Sequence, residues 1–203
     1  MLLKSFIDQK ELSILKKWTV DVEDYFVAKV INNEIQPLRY TSHDGYGIVL
    51  TDDNIVLNKS DSATSLLFKI KKTNNIPSCI DKIKSKCINV TKEYFSNAFR
   101  ADNVFDDFIL NIKTNGWIEE HIDVVDSKIT NVYKDAFIIR FNCLVNKPKK
   151  GGNIVHNKNT IIMDEGDIYI VDSKYPHSVS QVLEGSYRSV VFSFICLESK
   201  VNA

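Results

Sequence analysis

Long apolar runs are missing from this sequence of 203 residues: nothing approaches the roughly 20 that a membrane helix needs. Net charge is missing too. The 26 Lys and Arg cancel the 26 Asp and Glu, so no overall field draws the chain to nucleic acid or to an anionic membrane. Lys147, Lys149 and Lys150 cluster, and read as a solvated turn. Cysteine is scarce. Cys79, Cys87, Cys143 and Cys196 include no CxxC pair and are too few for a disulfide scaffold. They read as small core residues in a reducing, cytoplasmic compartment. The stretch 1–8 meets charge too soon to be a signal-peptide core. There is no glycine-rich phosphate loop, nucleophile elbow, internal repeat or low-complexity segment. What remains, 44% hydrophobic and 26% charged residues, suits a globular chain that buries a sizeable core in one domain.

Asp8 followed by Glu11 reads as the capped start of a helix, with Leu12, Leu15 and Trp18 on one face. Residues 20–31 turn β-like, with Tyr25, Phe26, Val27 and Val30, and read as a strand. Residues 36–65, interrupted by Pro37, Gly45 and Gly47, read as loops around one or two short strands. Ile76, Cys79, Ile80, Ile83, Cys87, Val90, Tyr94 and Ala98 repeat at the spacing of a buried helix face. Strands are then expected at 105–113, 117–122, 136–145, 160–163, 167–171, 177–182 and 187–197. Turn signals separate them, among them Gly151-Gly152, which reads as a turn with positive φ. Many short strands without intervening helices imply a barrel or jelly roll. The expected fold is mainly β with N-terminal helices: a core over 104–198 and an N-terminal extension over 1–103, in one domain over 1–203.

His121 and Asp123, two apart in a strand, point to the same side and can reach one metal ion. His177 arrives from a distant strand. Two imidazoles and one carboxylate on one face of an octahedron leave open positions, the arrangement of non-haem Fe(II) sites, and zinc can use the same donors. Arg188 lies beyond the turn at Glu184-Gly185, where a buried guanidinium needs an anion such as a dicarboxylate. His156 reads as a surface residue and His43 as a loop residue. Trp117 and Tyr133 read as core or rim packing.

Over roughly 105–197 the sequence resembles the Fe(II)/2-oxoglutarate-dependent oxygenase superfamily in its double-stranded β-helix (cupin-like jelly-roll) form. The matching residues are His121-x-Asp123, Arg140-Phe141-Asn142, Leu144-Val145-Asn146 leading to Gly151-Gly152, Gly166-Asp167, His177 and Arg188. Leu144-Val145-Asn146 with the two glycines is similar to prolyl hydroxylases. Arg140-Phe141-Asn142 is similar to aspartyl/asparaginyl hydroxylases, which lack the ligand at Asp123. The resemblance implies that His121, Asp123 and His177 bind Fe(II), and that Arg188 holds the distal carboxylate of 2-oxoglutarate. It also implies that Arg140 or Asn142 contacts the co-substrate or its surroundings. The expected reaction consumes dioxygen and hydroxylates an amino-acid side chain, free or in a peptide or protein, releasing succinate and CO2. A different outcome is a cupin-type metal-binding module without turnover or without 2-oxoglutarate. Substrate choice is expected from residues before His121, with Arg39 and Tyr46 as contacts. Neither a membrane nor a nucleic acid is an expected partner.

Overall fold

The structure, a computed structural model, describes residues 1–31, 37–40, 45–49, 56–59, 65–70, 76–94, 98–99, 107–123, 125, 130 and 135–197. Side chains are described over 1–22, 76–94, 107–123, 125, 130 and 135–196. In chain order the elements begin with β1 (Leu2–Leu3), α1 (Gln9–Ile31), β2 (Pro37–Tyr40), β3 (Gly45–Val49), β4 (Val56–Lys59) and β5 (Ser65–Ile70). Then come α2 (Ser78–Tyr94), β6 (Ala98–Phe99), β7 (Asp107–Ile112), β8 (Ile118–His121), β9 (Ala136–Asn146) and β10 (Lys150–Gly151). The last are β11 (Ile154–His156), β12 (Asn159–Ile161), β13 (Ile168–Asp172), β14 (His177–Val179), β15 (Val182–Glu184) and β16 (Tyr187–Leu197).

Asp8 and Glu11 form the reciprocal cap that their spacing predicts. The Glu11 N–H donates to Asp8 Oδ1 at 2.8 Å, and the Asp8 N–H to Glu11 Oε2 at 3.3 Å. The helix then runs on to Ile31, which corrects the strand expected at 20–31. Helix propensities of valine and the aromatics fall only about 0.7 kcal/mol below alanine, so β-like composition alone does not stop a capped helix. The loops expected over 36–65 are a second correction, because β2 to β5 pair in succession as an antiparallel meander. β5 then joins β7 and carries the meander into the large sheet. Helix α2 matches its predicted periodicity, with Cys79, Ile80, Ile83 and Cys87 buried.

The ten-stranded sheet runs β1-β13-β9-β16-β7-β5-β4-β3-β2, with β6 paired to β16. A four-stranded sheet, β12-β11-β14-β8, lies opposite its β13-β9-β16-β7 part. Alternation along β9 and β16 sorts the core into two layers. Ile139, Phe141, Cys143, Val190 and Phe192 face Leu15 of α1 and Ile83 of α2. Leu110, Leu144, Val171, Tyr187 and Val191 face Ile154 and Val179 of the smaller sheet. Fully burying one such aliphatic side chain stabilises by about 1.5–3 kcal/mol.

Asp167 fastens the N-terminal strand to this frame. Its carboxylate accepts from Ser5 N–H at 2.9 Å, Asp164 N–H at 2.8 Å and Lys4 Nζ at 2.7 Å. Burial pushes its carboxyl up, but Lys4 and the two backbone donors together hold it below its ordinary value of 3.8. A folded value below the unfolded one means the contribution is complete above pH 3.8. It is lost as pH falls from there through the lower folded value. Asp167→Asn is expected to cost about 1–3 kcal/mol at pH 7, because a neutral amide leaves a buried donor facing donors. Denaturant unfolding of both proteins at pH 7 and pH 3 checks this: the gap between them should shrink in acid, and an equal gap at both pH values contradicts the assignment.

Candidate metal centre

His121 ends β8 and His177 opens β14, and the two strands pair so that these residues lie opposite each other. Their ring centroids are 4.3 Å apart. A register shift in this pair gives β8 one extra residue between Ile118 and His121, and Asp123 follows two residues past the end of the strand. Asp123 Oδ1 is 3.7 Å from His121 Nε2, and Oδ2 is 3.7 Å from His177 Nε2. One ligand atom from each residue lies within 4.8 Å of the others.

Backbone carbonyls fix both rings. His121 Nδ1 lies 2.8 Å from the Glu119 carbonyl oxygen and His177 Nδ1 3.0 Å from that of Tyr175. A carbonyl only accepts, so each Nδ1 carries the proton and donates, and each Nε2 keeps its lone pair toward Asp123. Burial lowers the His177 pKa below 6.5, more than the Tyr175 carbonyl and Asp123 raise it, which favours the neutral ligand form. Burial pushes the Asp123 carboxyl up, but the Arg140 guanidinium holds it below 3.8 as an anion. This donor set, two neutral imidazoles and one carboxylate, suits a divalent transition metal.

Arg140 stands on the inner face of β9. Its Nε donates to Asp123 Oδ2 at 2.5 Å and its Nη1 to Ser193 Oγ at 2.9 Å, with the guanidinium 5.3 Å from the Phe108 ring centroid. Asn142, one step deeper on the same face, is almost fully buried, and its Nδ2 lies 3.4 Å from the Arg140 carbonyl.

Arg188, expected to hold the distal carboxylate of 2-oxoglutarate, lies on β16 and is not among the residues that converge around Asp123. It pairs with Asn111 of β7 between Tyr187, opposite Ile112, and Ser189, opposite Leu110. Tyr187 and Val191 belong to the layer between the sheets, and Val190 and Phe192 to the helix-facing layer. Alternation therefore turns the buried Arg188 toward the helices. The inner positions belong to Tyr187 and Ser189, whose buried hydroxyls lie beside each other. Burial pushes the Tyr187 phenol up to about 12.

His156 is the residue that sequence reasoning missed. It is half-buried, not on the surface, and sits opposite His177 in register with ring centroids 6.4 Å apart. Its Nε2 is 3.0 Å from the Asp172 carbonyl and must donate, so its Nδ1 accepts from the Tyr169 hydroxyl at 2.9 Å. The signal was available: Ile154 and His156 are two apart after the Gly151-Gly152 turn, as in a short strand. Trp117 is half-buried and lines an open groove of about 420 Å³ over β8 and β14, with Glu119, Glu120 and Ser178. Arg39 and Tyr46 face each other in the β2–β3 register, and their side chains, like Tyr133 and His43, lie outside the described residues.

No family model and no curated protein matches the sequence. Among solved structures, a collagen prolyl hydroxylase of Paramecium bursaria Chlorella virus-1, solved with 2-oxoglutarate, aligns with a TM-score of 0.57 at 13% identity. That alignment covers 96% of this chain and 94% of the viral one. A Pseudomonas putida prolyl-4-hydroxylase aligns with a TM-score of 0.57 at 9% identity, over 98% of this chain and 92% of its own. HygX of Streptomyces hygroscopicus, with nickel and 2-oxoglutarate bound, gives 0.54 at 6% identity, over 98% and 83%. The likeness is one of fold: this chain is built on the same double-stranded β-helix as the two prolyl hydroxylases and HygX.

Proposed function

We propose that the protein is an Fe(II)- and 2-oxoglutarate-dependent dioxygenase that hydroxylates a C–H bond of an amino-acid side chain, free or within a peptide or protein. The observation that carries this reading is the convergence of His121, Asp123 and His177, with ligand atoms within 4.8 Å, on a double-stranded β-helix. Iron bound there, with 2-oxoglutarate and dioxygen, supplies oxidative decarboxylation to succinate and CO2 coupled to insertion of one oxygen atom into the C–H bond. The chain's own residues do the rest. His121 and His177 present neutral Nε2 lone pairs, Asp123 adds one negative charge, and Arg140 holds Asp123 in place. Among the described residues only two of the Arg140 N–H groups are engaged, which leaves others for a carboxylate beside the metal.

The groove over β8 and β14 supports a peptide-sized substrate, since residues flanking both histidines line it. Two of the similar structures are prolyl hydroxylases, which supports an amino-acid side chain as the target. Arg39 and Tyr46 are proposed substrate contacts, and 1–203 a single oxygenase domain. Cytoplasmic residence is proposed from the four cysteines, all free and buried; no helix among the described residues is long and apolar enough to cross a membrane. One observation favours a second reading, a metal-binding module of this fold that does not use 2-oxoglutarate: the helix-facing side of Arg188.

Purified protein with Fe(II), 2-oxoglutarate and a panel of amino acids and peptides should form succinate with at least one of them. Succinate no higher than in the His177→Ala background across the whole panel would falsify the oxygenase reading.

A further inference from the structure

We propose that the co-substrate pocket selects a 2-oxo acid by the carboxylate beside the metal and not by a distal one, so that short 2-oxo monocarboxylic acids bind about as well as 2-oxoglutarate. The inference rests on the oxygenase reading and departs from it in what the second carboxylate is worth.

A diacid held at the metal by its 2-oxo end must send its far carboxylate either deeper between the sheets or out toward solvent. Leu110, Ile112, Leu144, Met163, Tyr187 and Val191 line the deep route, all buried. The void that Leu144, Met163 and Tyr187 border there is about 10 Å³, at the lower limit for one water molecule. Lys147 and Asn153 also line it, and the Lys147 ammonium is already paired with the exposed carboxylate of Asp164 at 2.7 Å. A carboxylate placed there would be stripped of water with no unpaired cation opposite it, which is unfavourable. Arg188 cannot supply that cation from the helix-facing side of β16. Toward solvent, a carboxylate stays hydrated and gains little from the protein.

The metal level is different. Arg140 is the cation at this level, paired with the candidate metal ligand Asp123. It is anchored at Asp123 and Ser193, its side chain is 20% exposed, and it has N–H groups to spare. A planar guanidinium with free donors, next to a bound cation, recognises the carboxylate adjacent to a keto group.

The experiment titrates 2-oxoglutarate, 2-oxobutyrate and pyruvate into nickel-loaded protein by calorimetry, a readout that needs no turnover. The expected result is three dissociation constants within about tenfold of one another, since tenfold is less than a paired buried carboxylate contributes. Arg140→Gln, with its metal content measured in the same samples, should weaken all three acids by more than about tenfold. If 2-oxoglutarate binds more than about tenfold tighter than both monocarboxylates, the inference is wrong and the oxygenase reading stands. If none of the acids binds the metal-loaded wild type, both fall. If Arg140→Gln does not fold, the wild-type series alone decides.

Discussion

His177→Ala protein is expected to leave a metal-loading experiment nearly empty. Dialysed against a stoichiometric divalent metal, the wild type should retain close to one ion per chain and the variant almost none. The reasoning is geometric. With no fourth residue among the described His, Cys, Asp and Glu in the cluster, deleting one donor leaves His121 and Asp123, which chelate weakly on their own. Loss of a mere supporting partner around a metal site costs 10–100-fold in affinity, so loss of a ligand should exceed about 10³-fold. The fold should survive, because the change removes a buried imidazole at the start of a three-residue strand and leaves both core layers intact. Circular dichroism melting of the same sample separates the two explanations. A variant that melts like the wild type and still holds one ion would remove His177 from the site.

Gly151→Ala is expected to do the reverse: it destroys the fold and never reaches the chemistry. Gly151 has φ +76° and pairs with Val182 across the β10–β15 ladder. A Cβ there would sit 2.0 Å from the Gln181 carbonyl oxygen and 3.0 Å from the Leu183 nitrogen, both backbone atoms that cannot swing aside. Left-handed φ alone costs a residue with a Cβ about 1–2 kcal/mol, and the collision adds to it, so a total loss of more than about 4 kcal/mol is expected. Gly185→Ala is the built-in control. It shares the positive φ, at +88°, but its nearest neighbour is the Lys149 nitrogen at 3.3 Å. It should therefore show little more than the backbone term. Equal melting temperatures for the two variants would mean the Gly151 turn has room that its backbone denies.

Much of this was legible beforehand, for reasons that can be traced. The Asp8–Glu11 cap, the α2 periodicity and the positive φ at Gly151 and Gly152 are local, and local chemistry writes itself into adjacent residues. His121 and Asp123 are also local, and His177 followed from needing one more donor on a second strand. The failures share a different cause. Residues 20–31 are β-like one by one, yet the helix they continue has already paid its nucleation. Arg188 was legible only as far as its strand. Counting from His177 finds the right strand, but which face a side chain takes flips with every residue, and Arg188 is flanked by a register shift against β9. The strand holding His156 is three residues long, so the two-residue step from Ile154 was its whole signal and was easily passed over.

Both site histidines are oriented by main-chain carbonyls two residues behind them, and among the described residues no side chain hydrogen-bonds either ring. The tautomer that frees each Nε2 is thus guaranteed by the backbone path, whatever residues occupy positions 119 and 175. Those positions flank the site and are released from its upkeep. They can exchange charge, size or polarity toward an incoming substrate while the imidazoles keep their aim, so the substrate preference of this site can drift without eroding its grip on the ion.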